Sequence, residues 1–267
     1  MRLVPRFSLR FLLLAVTIFV MVFGVGVKYW RAYQEHERIA NHLVALGDLV
    51  EEESDTLFGY VISKRFTSLQ IFAYEKTAEH LDLLDQLPEP WALRRLYVNA
   101  TVVEEDPFAP PKPAKPAKPD YHALARLLAR TPNLEVLDLT CDFDQELVQA
   151  FQGLKQLRQL SLEGCHFSAA ELAQVLSSLP QLEMLFIHRP GNDLAIDRVL
   201  QAELPRLRAL GLSSQEGLSD AKLRCDSACF DRAGLGRFPQ LEYLTLTDIK
   251  FQNPACEAGA LPALKIL

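Results

Sequence analysis

The sequence carries no excess of positive charge. Its 28 Lys and Arg are outnumbered by 34 Asp and Glu, which gives a net charge of −6 and a pI near 5.6. Backbone-phosphate binding needs clustered cations, so a general nucleic-acid binder is not expected. The H-E-x-x-H and G-x-S-x-G signatures of metallopeptidases and serine hydrolases are missing, as is a Gly-rich phosphate loop. Six His residues (36, 42, 80, 122, 166 and 188) lie scattered, and His36 and His42 fall on different faces of a helix, which suits a solvated polar surface. No catalytic residue, metal ligand or cofactor is expected. The five Cys, at 141, 165, 225, 229 and 256, cannot form a complete disulfide framework because their number is odd.

One long apolar run is present. Arg2, Arg6 and Arg10 precede an uncharged stretch from Phe11 to Val27, and Lys28, Tyr29, Trp30 and Arg31 follow it. Seventeen residues is at the short edge of what spans a hydrocarbon core of ~30 Å. Tyr and Trp favour the headgroup region, and flanking cations can extend outward. Two readings fit: an uncleaved transmembrane helix, or a signal peptide cut after Gly24 or Gly26. The apolar run continues up to those glycines with no polar segment before the cut, which favours the anchor. Cations flank both sides, and counting the amino terminus tips the balance toward an N-terminus in the cytoplasm. The soluble part is then extracytoplasmic.

The dominant pattern is a recurring leucine core. Leu157 to Phe167 reads L-R-Q-L-S-L-E-G-C-H-F and matches L-x-x-L-x-L-x-x-C-x-F. Further strong copies begin at Leu134, Leu182, Leu207, Leu241 and Leu264, with weaker ones at Leu93 (LRRLYV) and Leu69 (LQIFAY). The spacings from Leu134 onward are 23, 25, 25, 34 and 23 residues. Pro132, Pro180, Pro205, Pro239 and Pro262 each stand two residues before a leading Leu. Proline disfavours helix in the residue before it, so each should end a helix just ahead of a strand.

On these motifs the chain resembles the leucine-rich repeat superfamily, and its Cys165 and Leu-rich helical segments most resemble the cysteine-containing, ribonuclease-inhibitor-like branch. The basic-then-apolar opening is similar to that of bacterial membrane-anchored repeat proteins. The implied fold is α/β: a leucine-rich repeat solenoid of about eight repeats, parallel strands concave and helices convex, behind an N-terminal transmembrane helix. Expected segments are a basic tail (1–10), the transmembrane helix or signal anchor (11–30), a helical stalk and N-terminal cap (31–66) and the solenoid (67–267). A bare first coil would expose the core, so the cap is needed. Cys165 at the ninth repeat position should cap backbone groups at the turn. Asp138, Asp142 and Asp144 read as turn-capping residues rather than a carboxylate site.

Two insertions break the register. The first, 105–120, contains PFAPPKPAKPAKP, which reads as a solvated loop or as a docking or cationic arm. The second, 213–231, holds Cys225-x-x-x-Cys229, read as free thiols or a local disulfide in an oxidising compartment; zinc would need four ligands. The chain stops at Leu267 inside the last core with no capping unit, which reads either as a truncated end or as an open strand edge covered by another chain, self-association among the ways to cover it.

The resemblance implies a non-enzymatic module that binds another protein through its concave sheet. Alternation assigns Tyr97, Met184, Phe186, His188 and Tyr243 to that face, and aromatics and Met are enriched where interfaces gain affinity. The remaining alternatives are a structural cell-envelope component associating through its C-terminal edge or its Pro/Lys arm, and an enzyme with an unrecognised site. The bilayer is the other expected partner, through residues 11–30 of a single-pass cell-membrane protein.

Overall fold

Each coil opens with the same turn. The amide of Leu134 donates to the Thr131 carbonyl at 3.1 Å, Leu182 to Leu179 at 3.1 Å, Leu207 to Leu204 at 3.1 Å and Leu241 to Phe238 at 3.0 Å. In these four turns the second residue is Pro132, Pro180, Pro205 or Pro239. That position of a turn wants φ near −65°, which proline supplies at no further entropic cost. The prolines therefore do more than end a helix: they set the turn that aims the next strand.

The computed structural model describes residues 9–46, 48–57, 60–72, 83, 86–87, 90–99, 121–141, 143–188, 202–213, 224–225, 237–247, 250–251 and 265–266. The Pro/Lys insertion, most of the second insertion, Asp142, Cys229 and Cys256 lie outside them. A nine-stranded sheet organises the chain. It begins with β1 (Leu49–Leu57) antiparallel to β2 (Tyr60–Phe72). Then follow, all parallel, β3 (Arg95–Asn99), β4 (Val136–Thr140), β5 (Gln159–Glu163), β6 (Met184–His188), β7 (Ala209–Ser213), β9 (Tyr243–Thr247) and β11 (Lys265–Ile266). A separate parallel pair joins β8 (Arg224–Cys225) to β10 (Lys250–Phe251).

Pairing is in register by repeat position. Leu96, Leu137, Leu160, Leu185 and Leu210 stand opposite one another, and all are buried. Leu139, Leu162, Ile187 and Leu212 form a second buried column two residues along, and the leading leucines a third. Full burial of such a side chain contributes about 1.5–3 kcal/mol, so each coil owes its place mainly to these columns.

Among the described residues, three helices cover the other side: α2 (His122–Ala129), α3 (Gln145–Ala150) and α4 (Ala169–Ser177), numbered after the N-terminal α1 (Leu9–Ala45). Helix α4 starts in a capping box. Ser168 Oγ accepts the Glu171 amide at 3.1 Å, and Glu171 returns a carboxylate oxygen to the Ser168 amide at 2.6 Å. Asp144 caps α3 by accepting the Leu147 amide at 2.7 Å. Cys165 is fully buried; its thiol lies 3.3 Å from the Leu139 carbonyl and accepts the Cys141 amide at 3.5 Å. Beside it Gly164 takes φ +63°, a backbone that favours glycine, and donates its amide to the His188 carbonyl at 2.9 Å.

Three details depart from the sequence expectation. Leu69 pairs with Leu96 rather than standing level with Leu93. The first coil therefore reads F-T-S-L-Q-I from Phe66, a buried phenylalanine in the place of the leading leucine. The expected cap boundary at 66/67 thus falls inside β2. At the other end Lys265 pairs with Tyr243, one residue out of the register that the Pro262 spacing predicts. A two-residue ladder holds register weakly, because few side chains enforce it. Lastly, His36 does not belong to a solvated face. It is 2% exposed, its Nε2 lies 3.0 Å from Glu52 Oε1, and its ring stacks on Phe66 with centroids 3.9 Å apart. Ile39, Ala40 and Leu43 are buried on the same stripe of α1, so the expected stalk is docked from His36 onward.

Candidate partner-binding face

Strand pleating puts every second residue on the face of the sheet opposite the helices. Three rows result. The first runs Arg95, Val136, Gln159, Met184, Ala209, Tyr243; the second Tyr97, Asp138, Ser161, Phe186, Gly211, Thr245; the third takes in Asn99, Thr140, Glu163, His188, Ser213 and Thr247. Neighbours in a row lie ~4.8 Å apart.

The five residues singled out from sequence are not one cluster. Met184, Phe186 and His188 are neighbours on β6. Tyr243 sits two strands away in the Met184 row, and Tyr97 three strands away in the Phe186 row, on the order of 14 Å by strand spacing. Tyr243 is exposed, at 37%, whereas Met184, Phe186 and His188 are half-buried. For Phe186 the cause is Gly211. A methyl built there would lie 2.5 Å from Phe186 Cδ1, so the phenyl ring occupies the space that a side chain on β7 would fill. The Phe186 and His188 rings are near-parallel, 6.0 Å between centroids, and His188 Nδ1 lies 2.8 Å from Ser213 Oγ.

Asp138 lies in the middle of the face and caps no turn. Burial pushes its carboxyl above the usual aspartate range, and the nearby Glu163 carboxylate adds to this; a hydrogen bond with Ser161 and the charge of His188 oppose it. His188 Nδ1 and Ser213 Oγ stand at the spacing of a base and a hydroxyl, at the C-terminal ends of β6 and β7.

The second repeat position alternates in sign along the solenoid: Arg94, Glu135, Arg158, Glu183, Arg208, Glu242. The structure pairs Arg94 with Glu135 at 3.4 Å, Arg158 with Glu183 at 3.4 Å and Arg208 with Glu242 at 2.7 Å. This charge row borders the concave face on its turn side. An open polar groove of about 620 Å³ there is lined by Glu183, Arg206, Arg208, Gln240 and Glu242.

A search of curated protein sequences finds no match. The family described as FBD-associated F-box protein At5g56370, LRR repeats, matches residues 112–215. Over those residues the chain is similar to a leucine-rich repeat family. Among solved structures, internalin C2 from Listeria monocytogenes matches at 18% identity with a TM-score of 0.36, over 75% of this chain and 80% of that one. Among the described strands, the greatest apolar and aromatic content on the helix-free face of the sheet lies in its β6–β9 half.

Proposed function

We propose that the protein is a membrane-anchored leucine-rich repeat module that binds another protein through its concave sheet, with no catalytic step of its own. The carrying observation is Tyr243, a large exposed ring set two strands from Met184 across the small residues of β7. Between them only the methyl of Ala209 stands in that row and forms a low floor, while the Phe186 ring covers Gly211 beside it. A raised rim beside a low floor suits a partner side chain better than a flat polar sheet does. Tyr97 contributes a second contact toward β3. Cys165, bonded as a turn cap, supports the ribonuclease-inhibitor-like branch.

Helix α1 supports the anchor. Its stretch from Leu13 is long and apolar enough to cross a membrane, and none of its most apolar segment is buried against the rest of the protein. Tyr29 and Trp30 mark where it would leave the hydrocarbon. The solenoid is then extracytoplasmic, in a bacterial cell membrane. Crosslinking in intact membranes with mass spectrometry tests the proposal. One stoichiometric protein bound to concave-face residues is expected. Crosslinks only between copies, or to envelope polymer, would favour a structural envelope component associating through its C-terminal edge or its Pro/Lys arm.

A further inference from the structure

We infer that Trp91, on the turn that leads into β3, seats in the lipid headgroup layer beside the anchor helix and gives the solenoid a second contact with the membrane. The inference rests on the membrane reading of α1.

Two contacts set the direction of the strands against α1. The Asp48 amide donates to the Leu43 carbonyl at 3.0 Å, and Glu52 meets His36 at 3.0 Å. From the first contact to the second the helix number falls while the number along β1 rises, so β1 runs back along α1 toward its apolar half. Strand β2 is antiparallel to β1, and β3 is parallel to β2. Strand β3 therefore runs away from the membrane, and the residues just before it lie on its membrane side.

The same contacts give the height of Trp91. The His36 ring stacks on Phe66, so the two stand level. Continuing the Arg95–Ser68 register back by two residues sets Leu93 opposite Phe66. Trp91 precedes Leu93 in the short 3-10 turn Pro90–Ala92, whose Pro90 carbonyl accepts the Leu93 amide at 3.0 Å. The Arg65 guanidinium lies 5.5 Å from the centroid of the Trp91 ring, and Arg65 is one residue on the membrane side of Phe66. Trp91 thus stands a few ångströms nearer the membrane than His36. On the helix, Trp30 is six residues before His36, ~9 Å. The headgroup layer reaches ~5–8 Å beyond the hydrocarbon on each side, which brings Trp91 into it. Strand β3 is two strand spacings from β1, ~10 Å, so a moderate tilt of α1 moves Trp91 by only a few ångströms.

The residue type agrees with the placement. Pro132, Pro180, Pro205 and Pro239 fill the same place in four later turns, where a fixed φ suits the geometry. Tryptophan brings no such advantage to a turn. Its side chain is 45% exposed, although Leu93 two residues on is fully buried. Tryptophan favours the boundary between membrane and water, and cations beside it can reach phosphate. Arg65 and Arg94 flank Trp91 as Lys28 and Arg31 flank Tyr29 and Trp30. The occupant of this surface is the phospholipid headgroup layer.

Native indole fluorescence tests this, because Trp30 and Trp91 are the two tryptophans of the chain. The full chain is reconstituted into phosphatidylcholine vesicles in which part of the lipid carries a nitroxide on its headgroup. Trp30→Phe leaves Trp91 as the sole indole, and Trp91→Phe leaves Trp30 to report the anchor. Quenching of Trp91 comparable to that of Trp30 is expected. The wild-type chain reads the same question without a substitution: an unquenched fraction worth one indole at high nitroxide content would contradict the inference. Quenching of Trp30 with none of Trp91 would overturn it and leave the anchor standing. No quenching of either would overturn both.

Discussion

The phenyl ring of Phe186 lies across Gly211 on the next strand, filling the volume that a β7 side chain would take. Gly211→Ala should therefore push the ring off its strand. Overpacking of this kind costs about 1–3 kcal/mol. A lower melting temperature is expected, with loss of the Phe186–His188 stacking and of the His188–Ser213 bond in a variant structure. An unchanged melt and an undisturbed ring would show that Phe186 has room elsewhere.

His36 joins the anchor helix to the first coil. Its burial, its bond to Glu52 and its stack on Phe66 are lost together in His36→Ala. The expected cost is about 2–4 kcal/mol from the cavity and the lost bond. Thermal unfolding of the full chain in detergent checks it, together with faster amide exchange at residues 49–57. Exchange unaltered there would mean that α1 does not hold the hairpin.

Asp138 makes stability depend on acidity. Its folded carboxyl binds a proton more tightly than in the unfolded chain, because burial and Glu163 both disfavour the anion. Between the ordinary aspartate value and the raised folded one, the folded state holds more protons, so stability falls as pH rises. Above that window the penalty stays constant. Asp138→Asn should remove this part of the profile and raise the melting temperature at neutral pH relative to acid. A wild-type profile with the same slope as the variant would contradict the assignment.

The alternating charge row gives an expectation that depends on salt. Arg158→Glu places three acids side by side, with Glu135 and Glu183 flanking the new one. Like charges on neighbouring strands repel, and the repulsion is screened by salt. The variant should melt below wild type in dilute buffer, and the gap should narrow in concentrated salt. A gap insensitive to salt would point to lost packing of the Arg158 stem instead.

Much of the solenoid was legible because one residue type marks it. Leucine at fixed spacing names the inward columns from Leu134 to Leu241 directly, and proline names the turns. The first coil escaped because Phe66 holds the leading position, so a search for leucine slid onto Leu69. His36 escaped because polar neighbours on both sides hide a burial that only the hairpin creates. The concave face was legible as a set of positions, but Phe186 was not legible as half-buried. That depends on Gly211, a residue distant in sequence that the sheet brings alongside. Asp138 looked like a turn residue by type, and only strand pairing sets it beside Ser161.

The most direct measurement compares partner capture by the wild-type chain and by the double variant Met184→Ala, Tyr243→Ala. Phe186 is left intact because it packs on β7. Both proteins are extracted from membranes as full chains, and each is crosslinked and quantified beside its melting temperature. Capture should drop by about tenfold or more, as for loss of central interface residues, while the melting temperature stays close to wild type. Equal capture at equal stability would contradict binding through the concave face.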